Sequence, residues 1–551
     1  MGGVVLSPLH LPDMKFSPSR FCSCAFVTAT VAFLGSSTQL ARAGSFAISE
    51  QSVSGLGTAY AGGAAQAEDA STIFFNPAGI ALLPQGELQG GFNYLFPSGT
   101  FSNNGSSISA PGTPFNRSKI TGGNGGDGGV DHLIPNVYLS QPIFRSPQYG
   151  DLAIGIGLSV PFGLETDYDP GWVGRYSALR TKLQTFDIQP TIAYRAFDRV
   201  SIGASLDIQY ASARLSQAVD FGGIGGNILS GQFFPALPAA FAASGVPAPF
   251  IPGFVAATEQ AYAKAGFVPQ GRDGVAEVHG DSWDVGFTVG AIFEYLKGNE
   301  IPCLQEGRIG FSYRSGIEHD ISGSAEFRGV PVITASGAFS PVPGVTLPIP
   351  AFPAGNALRN VFFNQNATAR LDLPEIYHFS IYQRFLHNFA IMGDIALQRW
   401  SRLQQVPITF SNPGTPANVL NLEYKDSYRY SVGLEWYATK QLTLRTGLAY
   451  DETPIKNASL RDPRIPDNNR YFLSAGLQYK PLPYLAFDFG YAHLFFPDPQ
   501  VNFNDGQGHI LRGKFDVAID IVSASVTLLW GGPRETSVPE TPGKQPVSYR
   551  K

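Results

Sequence analysis

Few residues of this 551-residue chain are spaced for covalent or metal chemistry. Its eight histidines are scattered, and neither a His-x-x-x-His pair nor a Gly-x-Ser-x-Gly turn occurs. Residues 122–130, GGNGGDGGV, approach a calcium-binding nonapeptide, but there is one copy and Gly129 sits where a bulky apolar residue is needed. The run GGIGGN at 222–227 precedes no phosphate-cradling helix of a βαβ unit. No metal, cofactor or catalytic role is expected. A hydrolase whose Ser and His lie far apart in sequence is the enzymatic alternative. The unusual stretch is Gly44–Pro84, GSFAISEQSVSGLGTAYAGGAAQAEDASTIFFNPAGIALLP, where Glu50, Glu68, Asp69, Asn76 and Pro77 stand among small apolar residues. It has neither sustained alternation nor a long helical stripe, and it reads as a plug for something larger.

Composition narrows what that larger element is. At 13% aromatic and only 15% charged, the chain is too aromatic for disorder and too short of charge for an ordinary soluble surface. Its length would fit several soluble domains or one long barrel. A net charge of -5 carries no footprint for nucleic acid. Lys15 and Arg20 precede an apolar run from Phe21 to Leu34, and Ala41-Arg42-Ala43 offers a cleavage pattern, so residues 1–43 read as an export signal, with Met14 the better start. The apolar run is interrupted and shorter than the ~20 residues of a spanning helix. Cys22 and Cys24 fall in that signal, which leaves Cys303 without a partner for a disulfide in the mature chain.

From Gly86 to Trp530 the chain alternates with period two. In Ser282–Tyr295, Trp283, Val285, Phe287, Val289, Phe293 and Tyr295 share one face, opposite Ser282, Asp284, Gly286, Thr288 and Glu294. Val200–Tyr210 and Leu442–Tyr450 repeat the pattern. Fourteen strands are predicted near 86–96, 132–143, 151–163, 181–196, 199–219, 281–296, 307–327, 367–386, 389–403, 420–437, 442–451, 471–479, 484–495 and 513–530. One apolar face also suits a soluble sandwich. The connections decide, because long and short ones alternate, as in an outer-membrane barrel with short periplasmic turns and long external loops. The expected fold is an all-β, transmembrane antiparallel β-barrel over 86–530, with the 44–85 segment in its lumen and a polar tail over 531–551. The last strand is the least regular, its apolar phase shifting between Ile521 and Val522.

The order Ser54-Gly55-Leu56-Gly57, Ala59-Tyr60-Ala61-Gly62, Asn76-Pro77-Ala78, Leu373-Pro374-Glu375, Tyr424–Arg429, Arg445-Thr446-Gly447 and Ile465-Pro466-Asp467 with Arg470 resembles the FadL/TodX family of outer-membrane transporters for long-chain fatty acids and other hydrophobic compounds. The resemblance implies passive uptake gated by an N-terminal hatch, with Gly55, Gly57, Asn76, Pro77 and Ala78 at the moving part. Gly55, Gly57, Gly62 and Gly63 would supply backbone freedom and Asn76-Pro77 a fixed turn.

Within Ser159–Leu164, Pro161, Phe162 and Gly163 mark a bulge, bend or strand end, which the resemblance makes a lateral opening toward the bilayer. The loops 220–280 and 328–366 are apolar for external loops. By the same resemblance Phe241, Phe250, Phe254, Tyr262, Phe339 and Phe352 would form a capture groove, although packing between the loops explains them equally well. The family's basic pocket positions fall at Gln217 and near Leu420, so Arg214, Lys425 and Arg429 are the substitute partners for a carboxylate. That departure leaves uncharged hydrocarbons open as substrates. The expected partners are hydrophobic small molecules, outer-membrane lipid and the barrel assembly machinery, and the expected state is a monomer. An aqueous porin is the rival reading.

Overall fold

The computed structural model describes residues 46–110, 115–146, 148–298, 300–301, 303–342 and 345–531. The expected export signal over 1–43 and, Gly531 apart, the polar tail lie outside the described residues. Among those residues no helix is long and apolar enough to cross a membrane. The structure is built on fourteen long strands. They are β1 Gly86–Asn103, β2 His132–Ser146, β3 Gly150–Ser159, β4 Arg180–Ala196, β5 Val200–Asp220 and β6 Asp273–Leu296. Next come β7 in two pieces, Leu304–Arg314 and Glu318–Arg328, β8 likewise, Gln365–Asp372 and Ile376–Phe385, and β9 Phe389–Gln398. The last five are β10 Ser427–Tyr437, β11 Leu442–Asp451, β12 Arg470–Leu482, β13 Leu485–Phe495 and β14 His509–Trp530.

Each strand pairs antiparallel with its neighbour in sequence, and β14 closes on β1 from Gly86↔Trp530 to Asn103↔Gly513. Closure leaves no unpaired edge, which is the condition for β-structure in hydrocarbon. All fourteen predicted strands are present. The differences are local: β7 breaks at Ser315–Ile317 and β8 at Leu373–Glu375, side by side, where Pro374 has no amide to donate. The two breaks are joined by the Leu373 amide donating to the Ile317 carbonyl at 2.9 Å.

Aromatic girdles locate the membrane. Trp283, Tyr428, Tyr430, Tyr471 and Tyr491 are exposed at one level, and Phe293, Trp436, Tyr479, Tyr484 and Trp530 at another. On β10 Tyr428 and Trp436 are separated by ~26 Å of strand at ~3.3 Å per residue, which suits a tilted strand in an apolar band ~25 Å tall. The 24 residues of β6 and 22 of β14 therefore run well past the membrane on the long-loop side.

The irregular phase of β14 is not a slip in register. Its odd-numbered residues from His509 to Thr527 point inward throughout. Those toward the long loops are apolar (Leu511, Phe515, Val517, Ile519, Ile521) because they meet apolar partners inside, whereas Ser523, Ser525 and Thr527 line a polar stretch.

The partners inside are the N-terminal segment. Helix α1, Val53–Gly57, packs on β11–β14, and the 3-10 turn Pro77–Ala81 packs on β2–β6, with helix α2, Thr72–Phe75, between them. Leu56, Ile73, Ile80 and Leu83 are fully buried against Tyr138, Phe472 and Leu494 of the wall. The segment lies so close that the wall has room only for glycine. A Cβ on Gly310 would sit 1.8 Å from the Ala64 carbonyl oxygen, and one on Gly447 2.1 Å from the Thr58 carbonyl carbon. Gly203 and Gly290 face Pro77-Ala78 and Asn76 in the same way. Gly55 and Gly57 are helical and closely packed, while the left-handed residues are Ala59 (φ 51), Tyr60 (φ 58) and Ala67 (φ 47), beside Gly62 (φ 76).

Gly310→Leu is expected to push the Ala64 stretch off the wall, at or above the ~1–3 kcal/mol of overpacking because backbone cannot yield as a side chain does. Limited proteolysis should then cut within 46–84 while the barrel keeps its heat-sensitive gel mobility. Gly90→Leu, on the lipid face with nothing within 4 Å, should change neither.

Candidate functional site

Toward the long-loop end the lumen holds a narrow apolar pocket of about 90 Å³. Inward residues of the strands wall it: Leu183, Leu215, Ile321 and Leu371. More wall comes from the short strand Gln405–Phe410, which pairs with β8 at Ala367–Ala369 and brings in Val406 and Ile408. The roof is the 452–469 connection, which folds into the barrel mouth so that Thr453, Ile455, Asp462 and Arg464 are buried. Burial pushes the Asp467 carboxyl up to about 6, against the pull of Arg470.

Phe46 reaches the pocket from below, its ring 4.7 Å from Trp400 and 6.3 Å from Phe162. Residues 46–51 also hold the irregular part of β3. The ladder from β2 ends at Val137↔Leu158, and Val160–Phe162 turn inward before Gly163–Asp167 resume pairing with β4. The inturned stretch bonds to the N-terminal segment. The Ile48 amide donates to Pro161 O (2.9 Å), the Gly163 amide to Phe46 O (3.1 Å), and Gln51 both accepts from Val160 N (3.0 Å) and donates to Val160 O (2.6 Å). Pro161, Phe162 and Gly163 thus sit where the strand leaves its ladder, bonded there to Phe46, Ile48 and, at Val160, Gln51.

Two polar centres fix that segment. Asn76 caps the Pro77–Ala81 turn, accepting from Ala78 N at 3.1 Å, and its amide donates to Ala64 O (2.7 Å), Ala291 O (3.2 Å) and Phe311 O (3.3 Å). It ties both arms of the segment to β6 and β7. Pro77 and Ala78 follow it against Gly203. The second centre is Arg445, fully buried, which meets Glu435 and Asp488 at 2.8 Å each and Glu68 of the segment. Three carboxylates share one guanidinium there, and burial pushes the Glu68 carboxyl up to about 8 against the pull of Arg445.

The external loops form a small core of their own. Helices α3 Phe221–Ile228, α4 Leu237–Ala243 and α5 Ile251–Lys264 pack on the 329–364 loop. The glycine run at 222–227 lies within α3, where a Cβ at Gly222 or Gly226 would strike the Val268 or Phe267 carbonyl. Phe241, Phe254, Tyr262 and Phe352 are buried in this core, Phe339 is half-buried 5.0 Å from Phe254, and Phe250 is exposed. The aromatics expected in a groove are thus gathered, mostly as a packed interior.

None of the three basic residues expected as carboxylate partners lines the pocket. Arg214 pairs with Glu277 on the exposed face of β5, because its neighbours Ala213 and Leu215 take the inward positions. Arg429 is buried lower in the lumen, donating to Ser49 Oγ (2.7 Å) and Ala59 O (3.2 Å). Lys425 stands at the foot of the connection before β10, its amide donating to Pro454 O at 3.1 Å. The guanidinium at the pocket is Arg464, 2.5 Å from Gln217 Oε1. The alternation of Arg461, Asp462, Arg464 and Asp467 is the sequence signal for an inturned loop, since a buried connection needs its charges paired.

Comparison with known proteins agrees with this architecture. The family model described as outer membrane protein transport protein (OMPP1/FadL/TodX) matches residues 34–529. The chain belongs to that family. Among relatives, the long-chain fatty acid transport protein of Escherichia coli O6:H1 is 28% identical over 472 residues, 86% of this chain and 91% of the relative. Outer membrane protein P1 of Haemophilus influenzae is 25% identical over 454 residues, 82% and 86% of the two chains. The crystal structure of a Pseudomonas aeruginosa FadL homologue superposes with a TM-score of 0.67 at 23% identity, covering 88% of this chain and 99% of that one. The Pseudomonas putida toluene transporter TodX gives 0.54 at 14% identity, covering 84% and 94%. Like other members of the OMPP1/FadL/TodX family, this protein resides in the outer membrane.

A carboxyl whose pKa is raised by docking favours docking fully below its free pKa, and that contribution is lost as the pH rises to the bound pKa. From the ordinary ~4.3 of a free Glu up to about 8, rising pH should therefore loosen the segment. Protease cutting within 46–84 is expected to increase between about pH 5 and about pH 8 in the wild type, to level off above that, and to stay flat in Glu68→Gln. Arg445→Met, which strands three buried carboxylates, should cost on the order of 3–5 kcal/mol and free the segment at every pH.

Proposed function

We propose that this protein passively admits long-chain fatty acids or related hydrophobic compounds across the outer membrane. Residues 44–85 act as the hatch, 86–530 as the barrel, and 1–43 as the export signal. The single observation that carries the reading is an apolar pocket, roofed by an inturned loop, beside an interruption in the wall that the hatch itself holds shut. The exposed aromatics of the external loops, Phe250 first among them, take up the compound from outside. It then occupies the pocket in place of Phe46, and leaves sideways past Val160–Phe162 when residues 46–51 let go. A lateral exit suits the energetics. A sixteen-carbon chain gains on the order of 12 kcal/mol from leaving water at ~0.8 kcal/mol per CH₂, so an exit through the polar lower lumen would be far slower than one into lipid. The protein works as a monomeric transporter without catalysis, surrounded by outer-membrane lipid and inserted by the barrel assembly machinery.

Uncharged hydrocarbons are the second reading, favoured by the absence of an unpaired cation among the pocket's described lining residues. Saturable binding of labelled oleate to the detergent-purified protein, competed by a long alkane, and uptake by cells whose own fatty-acid transporter is deleted are the expected results. No saturable binding of either class, together with swelling of liposomes in sugar, would overturn the proposal in favour of an aqueous porin.

A further inference from the structure

We infer that Asp462 makes the lumenal pocket selective for long aliphatic molecules with an uncharged, hydrogen-bond-accepting head, such as an alcohol or ester, over ionised carboxylates. This rests on the pocket being the ligand site of the uptake proposed above. Four lining residues carry or can carry charge: Lys182, His279, Asp462 and Arg464. Lys182 is half-exposed and pairs with Glu165 at 2.9 Å. His279 stands opposite Arg214 on the same outer face and meets Ser324 at 3.3 Å. The headgroup chemistry of the interior therefore falls to Asp462 and Arg464, whose side chains are 3% and 5% exposed.

These two are already matched to each other. Arg464 Nη1 donates to both Asp462 oxygens at 3.2 and 2.9 Å, the Arg464 amide donates to Asp462 Oδ1 at 2.9 Å, and Nη2 reaches Gln217 at 2.5 Å. Pro463 lies between them, and its carbonyl accepts from the Tyr168 hydroxyl at 2.8 Å, so the turn that joins the ions is itself anchored. The pair is held by local chain geometry and cannot separate without unseating the roof. A carboxylate entering an enclosure with no spare cation brings a second anion to one guanidinium, which low polarity penalises heavily. An alcohol or ester brings none. Arg464 Nε remains buried without a hydrogen-bond partner, and one N–H donor is what a single neutral oxygen requires.

The test is equilibrium binding of oleyl alcohol, methyl oleate and oleate to the purified wild type at about pH 9, where oleate is ionised. The two neutral ligands are expected to bind roughly tenfold or more tightly than oleate. Asp462→Asn keeps the hydrogen bond to the Arg464 amide but frees the guanidinium, so oleate should tighten by about tenfold or more while the alcohol changes less than about threefold. Oleate binding the wild type as tightly as the alcohol, or an unchanged ratio in D462N, would overturn the inference. If D462N loses the heat-sensitive mobility of the folded barrel, Asp462→Ser replaces it, with oleate expected to tighten relative to the alcohol by about tenfold and an unchanged ratio as the contrary result. Absence of saturable binding by all three ligands in the wild type would instead remove the uptake reading on which the inference rests.

Discussion

Backbone lying on backbone holds this molecule together. Fourteen strands closed on themselves enclose a lumen that must be filled, and side chains alone do not fill it. The chain spends its N-terminal segment there, pressing Thr58, Ala64 and Asn76 onto wall positions where only glycine leaves room. Contacts this close exclude water and leave polar groups no partner but each other. Asn76 and Arg445 are the consequence: each gathers several partners because none is available from solvent.

The lumen is divided by that layer. On the turn side it is polar, with Gln89, Asn136, Ser140, Ser525 and Thr527 buried along β1, β2 and β14. On the loop side it is aliphatic, roofed by a connection whose charges are paired among themselves. A hydrophobic molecule held on the loop side has two ways out: back through the loops, or through the gap where β3 leaves the ladder. In the stretch Phe46–Gln51, Phe46 lines the pocket while Phe46, Ile48 and Gln51 bond across that gap. In the proposed uptake route, occupancy of the pocket and closure of the wall would be competing demands on this one short stretch of chain.

Much of this was legible in the sequence. Period-two alternation with long and short connections placed every strand, because a strand between lipid and a polar lumen cannot hide its two faces. Pro161 and Gly163 announced the interruption, since one lacks a donor and the other a side chain. The site was less legible, for physical reasons. Lumen-facing glycines look the same as any glycine in a strand, so Gly290, Gly310 and Gly447 carried no sign of what presses on them. The 452–469 connection read as one more external loop, and only its paired Arg and Asp residues hinted that it turns inward with Arg464. Arg214 was plausible by proximity in sequence, but a one-residue step in a strand sends a side chain to the opposite face, while Arg429 points inward but lower in the lumen, against Ser49 and Ala59. β14 seemed irregular because its inward face meets lipid-like packing at one end and polar packing at the other.

The central claim is that the lumen is sealed to water by the close-packed hatch while remaining open to apolar molecules from the loop side. Conductance of the purified protein in a planar lipid bilayer tests it most directly, with the Gly310→Leu variant beside the wild type. The account predicts no steady ionic current through the wild type and open-pore current through the variant. A steady porin-like current through the wild type would contradict it.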